Sequence, residues 1–271
     1  MKLTLVLAVF LATSAFAADV PWAGKLTPER PGSFPPIQPF SGEFRFGWSN
    51  IEAASAKGKF TRVGDRLVVD VSGGTTGLAR TLWQLDAVHH AELFFPQLTP
   101  IGFDQKETYA KRTVKMKAEY RPDGLWRLRT VRPGPGGEKW KKIKFGPVYD
   151  MITGMLFIRS QPLADKDKVR LIVFPGDTPF LTEVTVLGRE NVTIGGKSIP
   201  AIKLDFRPQR IEKVKGKNEY TLEPHKKFTR GTVWISDDEY RIPLRSEVYI
   251  FIGYVFAELK SITFENGKTF P

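Results

Sequence analysis

From residue 42 onward, apolar and polar side chains alternate along most of the chain. In the first such stretch, Phe44, Phe46 and Trp48 fall on one face, and the charged residues between them fall on the other. Successive side chains of a β-strand point to opposite faces of a sheet. This alternation therefore predicts a strand that has one apolar face, and it marks the start of the folded part of the chain.

Two turn signals separate further alternating stretches and predict hairpins. Gly64-Asp65 lies between the runs 59–63 and 66–71, and a Pro-Asp-Gly turn at 122–124 follows the run 114–120. Short turns of Gly and Asp between alternating runs are typical of β-hairpins. Eight more strands are predicted at 168–174, 181–187, 191–194, 201–206, 211–222, 228–235, 243–252 and 254–264.

Two stretches show the helical pattern instead, in which apolar side chains recur every three or four residues. Leu78, Leu82 and Leu85 form such a stripe, which predicts a helix over 77–90. Met151 and Met155 belong to a second stripe, which predicts a helix over 148–159.

Many strands joined by short turns, with only two helices, predict a mainly β fold. An antiparallel sheet with one apolar face must cover that face. We therefore expect one curved antiparallel sheet, an open half-barrel that wraps both helices, formed as a single domain over residues 42–271. A two-part β-sandwich is the alternative.

The first 17 residues are organised as a secretory signal peptide. Lys2 precedes an apolar run over 3–12, and small residues stand at Ala15 and Ala17. This pattern predicts cleavage after Ala17 and export to a periplasm. The run is shorter than the roughly 20 residues that cross a bilayer, so no transmembrane segment is expected. Six prolines within 18–41 predict an extended lead-in before the domain.

Composition excludes several kinds of chemistry. The chain has 271 residues and no cysteine, which rules out disulfides, thiolate metal sites and a cysteine nucleophile. Only three histidines are present, which argues against a multi-histidine metal centre. No metal and no cofactor are therefore expected.

The formal net charge is +12, and the excess is uneven, since residues 106–145 hold 13 Lys or Arg against 4 Asp or Glu. For an exported protein, anionic lipid head groups or acidic polysaccharides fit this charge better than nucleic acid. Peripheral contact with an anionic membrane surface is thus one hypothesis, and a merely solvated strand face is the other. The candidate polyanion surface comprises Lys115, Lys117, Arg127 and Arg129.

Catalytic motifs are scarce. Residues 191–198 end in Gly-Gly-Lys-Ser, but a phosphate-binding loop needs an earlier glycine and a following helix. The segment is interpreted as a hairpin turn. His89 and His90 are the weak candidates for catalysis, and their position near the end of the predicted helix favours a structural role.

Several segments, taken in order, resemble the bacterial domain of unknown function 3108 (DUF3108) over about 42–264. They include the helix 150–159, with an acid first and an arginine last, and the segments 42–44, 80–83, 234–245 and 253–259. The resemblance implies an exported bacterial protein whose family has no assigned activity. It also implies a shape similar to the open half-barrels of periplasmic lipoprotein carriers.

The leading hypothesis is a non-enzymatic binding or carrier protein for an amphipathic or anionic, lipid-like envelope ligand. The alternatives are an enzyme acting on an acidic polysaccharide or another envelope polymer, with His89, His90 or a tyrosine moving protons, and an envelope assembly factor. Arg80 and Arg159 would pair with a ligand anion, or internally with Asp150 or Glu247. The candidate ligand-binding residues are Arg80, Trp83, Met151, Met155, Arg159 and Trp234.

Overall fold

A computed structural model describes residues 20, 22–28, 38–49, 51–95, 97–134, 140–217, 219–225, 230–250 and 253–271. The predicted signal peptide and most of the predicted lead-in lie outside these residues. The first half of the domain contains β1 (Phe40–Trp48), β2 (Ile51–Val63), β3 (Arg66–Thr75), α1 (Gly77–Leu82), β4 (Leu85–Phe94), β5 (Thr99–Tyr109), β6 (Thr113–Arg121), β7 (Gly124–Arg132) and β8 (Trp140–Ile143). The second half contains β9 (Val148–Tyr149), α2 (Met151–Arg159), β10 (Lys168–Val173), β11 (Phe180–Ile194), β12 (Lys197–Lys213), β13 (Tyr220–Pro224), β14 (Gly231–Ser236), β15 (Pro243–Tyr249), β16 (Tyr254–Phe264) and β17 (Thr269–Phe270).

All of these strands belong to one sheet, which confirms the predicted mainly β fold with a large open sheet. The pairings run β8-β7-β6-β5-β4-β3-β2-β1-β16-β15-β14-β12-β11-β10-β9 from edge to edge. The short strands β13 and β17 add to β12 and β16. Neighbouring strands are antiparallel except β9 and β10, which are parallel.

The sheet curves until its two edges come close together. The edge strands β8 and β9 do not pair with each other among the described residues, yet only residues 144–147 separate them along the chain. A connection of that length spans at most about 18 Å. The helix α2 lies inside the curve, because it contacts β9, β10 and, from the other half of the sheet, β4.

The predicted helix over 77–90 is wrong in its second half. Only Gly77–Leu82 is helical, and His89 and His90 lie in β4. The residues of β4 fit a strand because Ala91 and Leu93 alternate inward, and β4 is hydrogen-bonded to both β3 and β5. Pairing on both sides outweighs the short apolar stripe. Strand β5 was likewise not predicted.

The sheet encloses one helix, not two. No residue of α1 is buried, and Leu78 and Leu82 are 76% and 80% exposed, so α1 lies on the surface. The second helix begins at Met151, three residues later than predicted, because Val148–Tyr149 pairs with β10 as a strand.

Three predicted strands are merged or divided in the structure. The predicted strands 181–187 and 191–194 are one strand, β11, which continues through a register shift between Val186 and Gly188. The predicted strand 211–222 is broken by a turn, so that its halves belong to β12 and β13. The predicted hairpin turns at 64–65 and 195–196 are confirmed.

Part of the segment before the sheet belongs to the core. Trp22 is 2% exposed and packs into the main apolar cluster. Nearby, the backbone N–H of Thr27 donates to the carbonyl oxygen of Arg170 (2.8 Å), and the Thr27 hydroxyl accepts from the N–H of Arg170 (2.9 Å). These contacts attach the segment to β10.

Strand direction gives the curved sheet two distinct ends. The connections that follow β1, β3, β5, β7, β9, β10, β12, β13 and β15 lie at one end, together with α1, and we call this the α1 end. The connections that follow β2, β4, β6, β8, α2, β11, β14 and β16 lie at the opposite end. Helix α2 starts after β9 and leads into β10, so it runs from Met151 toward Arg159 at the opposite end.

Candidate functional site

A cavity of about 680 Å³ lies between α2 and the concave face of the sheet. Its volume is within the range of small-molecule sites, about 300–1,000 Å³. The walls come from β1–β3, α2, β11, β12 and β14–β16, and they are almost entirely apolar. Representative lining side chains are Phe44, Phe46, Met151, Met155, Phe206 and Ile235.

The alternating sequence explains the apolar wall. Phe44 and Phe46 pair with Leu259 and Ala257 of β16, and cross-strand partners share one face of a sheet. The charged side chains between them face outward, where Arg45 bonds Glu258 (Nε to Oε1, 2.9 Å). The period of two thus assigns aromatic side chains to the cavity and ions to the outer surface.

Two arginines are among the lining residues, Arg159 and Arg245. Arg245 forms salt bridges with Glu247 and Glu258, whereas Arg159 forms no such pair among the described residues. Arg159 is therefore the cation that interrupts the apolar lining. It is the last residue of α2, it lines the cavity, and it is only 6% exposed. Its Nη2 donates to the carbonyl oxygen of Tyr240. Its Nε and Nη1 are buried and have no hydrogen-bond partner among the described residues. Burial lowers the pKa of Arg159 to about 10, so it remains charged at neutral pH.

The turn between β14 and β15 holds the end of α2 that carries Arg159. Arg241 donates from Nη1 to the carbonyl oxygens of Arg159 (2.6 Å) and Gln161. Asp238 shapes the turn, since its Oδ1 accepts from the N–H groups of Tyr240 and Arg241 (both 2.9 Å). Because the last carbonyls of a helix have no partner within it, these bonds satisfy groups that the fold would otherwise bury unpaired.

Asp150 fixes the other end of α2. It is fully buried and caps the helix, with Oδ1 accepting from the N–H groups of Ile152 (2.8 Å) and Thr153 (2.9 Å). Its Oδ2 accepts from the Thr153 hydroxyl (2.5 Å). Burial raises the pKa of Asp150, against these hydrogen bonds. The acid-first, arginine-last pattern of 150–159 is thus a cap at one end and a cavity residue at the other.

The structure brings together three of the six predicted ligand-binding residues. Met151, Met155 and Arg159 line the cavity. Arg80 instead pairs with Asp86 at the surface (Nη1 to Oδ1, 2.8 Å), and Trp83 is 58% exposed beyond the end of α1.

The sixth predicted residue, Trp234, faces away from the cavity. Its indole N–H donates to Oε1 of Glu190 (2.6 Å), and the ammonium of Lys203 lies 5.4 Å from its ring centroid. Neither internal partner proposed for Arg159 contacts it, because Asp150 caps the helix and Glu247 bonds Arg245 (2.8 Å).

Much of the cavity wall comes from β11, β12 and β14, whose residues are not among the predicted ligand-binding residues apart from Trp234. Phe206 and Ile235 are examples. The signal was present as alternation within 201–206 and 228–235, but alternation alone does not tell which apolar residues border a cavity and which fill a core.

The predicted polyanion surface is divided between two faces of the sheet. Lys115 and Lys117 pair with Thr130 and Leu128, so these side chains share the outer face. Arg127 and Arg129 pair instead with Ala118 and Met116, whose side chains are buried on the inner face. Arg127 donates there to Oδ1 of Asp177 (2.9 Å). The four cations therefore do not form one surface.

His89 and His90 also lie on opposite faces of β4. His89 packs edge-on against Phe103 (centroids 5.7 Å apart), and burial lowers its pKa. His90 contacts Oδ1 of Asp70 (2.8 Å), and this hydrogen bond raises its pKa. The two imidazoles cannot act on the same group of a substrate.

Metal sites and membrane-spanning helices are two further features to consider in the part of the chain that the structure describes. No three histidine or acidic side chains there converge as metal ligands would. Neither α1 nor α2 has the length and apolarity of a membrane-spanning helix.

A family model described as a protein of unknown function, DUF3108, matches residues 43–260. Among curated proteins, none matches the sequence significantly. The match covers the strands and the helix that build the cavity, from the start of β1 almost to the end of β16.

Three solved structures are similar to this chain, and the first of them supports the architecture. A β-barrel-like protein of the domain of unknown function DUF1849 from Brucella abortus is similar with a TM-score of 0.53 at 9% identity, over 85% of this chain and 99% of that one. A protein from Bacteroides fragilis that is proposed to be exported and has a YmcC-like fold gives a TM-score of 0.37 at 10% identity, over 85% of this chain and 98% of that one. A protein proposed to be a lipoprotein, from Parabacteroides distasonis, has a TM-score of 0.31 at 9% identity, over 87% and 100%. At these identities the first likeness shows the fold alone.

Proposed function

Since the chain belongs to the DUF3108 family, whose members have no assigned function, we propose from the chemistry of its cavity that it binds or carries an acidic amphiphile of the bacterial envelope. The apolar chain of the ligand occupies the space between α2 and the sheet. Its acidic head group lies at the inner end, against Arg159. No reaction on the ligand is part of this proposal.

The observation that carries the proposal is the unsatisfied guanidinium of Arg159. A buried donor without a partner costs about 1–3 kcal/mol, and more when it is charged. Buried charges in proteins are therefore nearly always paired. A carboxylate or phosphate oxygen within reach of Nε and Nη1 would accept from both and offset the charge. No such acceptor is supplied by the described residues themselves.

The apolar walls support the choice of an amphiphile over a small hydrophilic anion. Each buried methylene contributes about 0.8 kcal/mol, so ten of them contribute about 8 kcal/mol. Association itself costs roughly 4–15 kcal/mol, so the chain alone gives weak binding. The charge-assisted bonds to the head group then add affinity and decide which amphiphiles are held.

The cavity also favours this function over the two alternatives. An assembly factor that acts through a flat basic face needs no cavity, whereas here a cavity of about 680 Å³ lies between α2 and the sheet. An enzyme that used His89 or His90 would need that side chain at the substrate site, and neither histidine lines the cavity. A periplasmic location, with cleavage after Ala17, is part of the proposal and follows from the signal-like N-terminus. Mass measurement of the exported protein, with Ala18 expected as its first residue, tests that location.

Native mass spectrometry of the gently purified protein, followed by organic extraction, tests the proposal. We expect a stoichiometric acidic amphiphile. In titrations of delipidated protein, palmitate should bind, and its uncharged methyl ester should bind at least tenfold more weakly. The variant Arg159→Gln should lose this preference, while Arg80→Gln, which alters a surface cation, should keep it. A ligand-free native mass together with no binding of palmitate would refute the proposal.

A further inference from the structure

A second feature of the molecule lies at the α1 end and is separate from the cavity lining. Most of the large apolar side chains that the described part of the chain exposes are found there. Six of them are between 43% and 80% exposed: Trp48, Ile51, Leu78, Leu82, Tyr249 and Val255. We call these six residues the apolar rim.

The apolar rim is continuous because its elements are neighbours. Trp48 is the register partner of both Ile51 in β2 and Val255 in β16. Helix α1 lies beside β2, since the N–H of Thr76 donates to the carbonyl oxygen of Ala53 (2.9 Å). The rim side chains of α1 and of the strands β1, β2, β15 and β16 therefore lie side by side at one end of the sheet.

Charge is distributed unequally between the two ends. The described connections at the α1 end carry three acidic residues, the buried Asp150 and the exposed Asp177 and Glu219, and six basic ones: Arg80, Lys111, Arg112, Lys215, Lys217 and Arg230. The connections at the opposite end carry acidic residues at Asp65, Asp123, Asp165, Asp167, Asp237, Asp238, Glu239 and Glu265. Four basic residues accompany them: Lys144, Lys166, Arg241 and Lys268. The α1 end is thus basic and the opposite end is acidic.

We propose that the α1 end docks on the surface of an anionic lipid bilayer. Tryptophan and tyrosine favour the interface between water and lipid, and leucine and isoleucine gain by entering the acyl boundary. Basic residues near an anionic leaflet are attracted to it, and each increases partitioning about fivefold. Apolar side chains on short projecting connections, among cations, match a bilayer better than a flat protein partner. The acidic opposite end would be repelled, which sets the orientation.

This orientation directs the accessible end of the cavity toward the membrane. Met151 lines the cavity near the α1 end and is 43% exposed, whereas Arg159 at the other end of α2 is 6% exposed. The docking surface does not depend on what occupies the cavity, so its test is independent of the proposed ligand.

Sedimentation with phosphatidylcholine vesicles, with and without phosphatidylglycerol, tests the docking. We expect binding only when phosphatidylglycerol is present, and we expect added salt to weaken it. The rim variant Trp48→Ser/Leu82→Ser should lower partitioning at least tenfold. Its matched control, Val63→Ser/Phe94→Ser, removes exposed apolar side chains at the opposite end and should bind as the parent does.

Two further double variants, each of which removes two lysine charges, measure the electrostatic contribution to vesicle binding. Lys111→Gln/Lys215→Gln should lower partitioning about twenty-fivefold, and Lys144→Gln/Lys197→Gln, near the opposite end, should leave it nearly unchanged. All four substitutions lie at exposed positions, and melting temperatures confirm that each variant folds. No binding to phosphatidylglycerol vesicles, or equal losses for the α1-end variants and their controls, would overturn the docking proposal. Neither outcome bears on palmitate binding.

Discussion

Arg241 and Arg159 are joined by a hydrogen bond from the guanidinium of the first to the carbonyl oxygen of the second (Nη1 to O, 2.6 Å). In return, the guanidinium of Arg159 donates to the carbonyl oxygen of Tyr240, the residue before Arg241. The β14–β15 turn and the end of α2 thus hold each other. This arrangement places a charged side chain in an apolar cavity, where Asp238 acts on its charge from a distance but no carboxylate of the described residues forms a salt bridge with it.

Arg159→Met should separate ligand binding from stability. Replacing a buried ion by an apolar side chain of similar size is often neutral or stabilising by about 1–4 kcal/mol. The Tyr240 carbonyl loses its donor, which costs about 1–3 kcal/mol. We therefore expect the melting temperature of the ligand-free variant to change by only a few degrees, at about 2–4 °C per kcal/mol, while palmitate binding is lost.

A matched comparison is Arg245→Met, which removes a partner from the buried carboxylate of Glu258. Because that carboxylate keeps only Arg45, we expect Arg245→Met to lower the melting temperature clearly more than Arg159→Met. Equal losses in thermal denaturation would mean that Arg159 is needed for folding in the same way as a paired arginine.

Arg241→Ala should destabilise the protein by about 2–4 kcal/mol. The side chain serves the carbonyls of Arg159, Gln161 and Pro162, and their loss leaves the end of α2 unsatisfied. Arg241→Lys should rescue little, because a single ammonium cannot reproduce the planar fork of a guanidinium. Urea denaturation measures both. Arg80→Ala breaks an exposed pair and should lower the stability far less, so an equally small loss for Arg241→Ala would contradict the capping role.

The two adjacent histidines should make opposite contributions to the pH dependence of stability. Burial lowers the pKa of His89 below 6.5, so on acidification the unfolded chain binds a proton before the folded protein does. The contribution of His89 to the free energy of unfolding is therefore complete above 6.5 and is lost as pH falls through the lower value. The Asp70 hydrogen bond raises the pKa of His90 above 6.5, so its contribution is complete below 6.5 and is lost as pH rises through the higher value.

Urea titrations between about pH 5 and pH 8 test these signs. His89→Gln should flatten the loss of stability on acidification, and His90→Gln should flatten the loss above pH 6.5. The His90 effect should be the smaller one, because its ion pair is partly exposed to solvent. Curves that shift in the same direction for both variants would contradict the opposite environments.

Retention on heparin should depend on the outer face of β6 and not on the inner face of β7. Lys115→Gln/Lys117→Gln removes two outward cations, and we expect elution at clearly lower salt. Arg127 bonds Asp177 on the inner face, so Arg127→Gln should elute close to the parent. The reverse order of elution would show that the inner face is accessible to a polyanion.

The strand register explains why the sequence alone could not show which of these cations face outward and which face inward. In β7, one face carries Trp126 and Leu128 and the other carries Leu125 and Val131, so both faces contain apolar residues. The turn at 122–123 pairs Tyr120 with Leu125 and thereby turns Arg127 and Arg129 inward. A shift of one residue would have reversed every side chain of the strand.

Local alternation and turn residues by themselves determined that the chain is mainly β, where most hairpins turn, that an apolar helix ends at Arg159, and that Phe44, Phe46, Met151 and Met155 belong to apolar faces. Tertiary structure decided three matters: that 85–94 is a strand, that α1 stays outside, and that Arg159 rather than Arg80 reaches the cavity. The physical reason is the range of the interactions. Side-chain periodicity acts over a few residues, whereas pairing between distant strands and the burial of a charge depend on groups far apart in the chain, such as Arg159 and Tyr240.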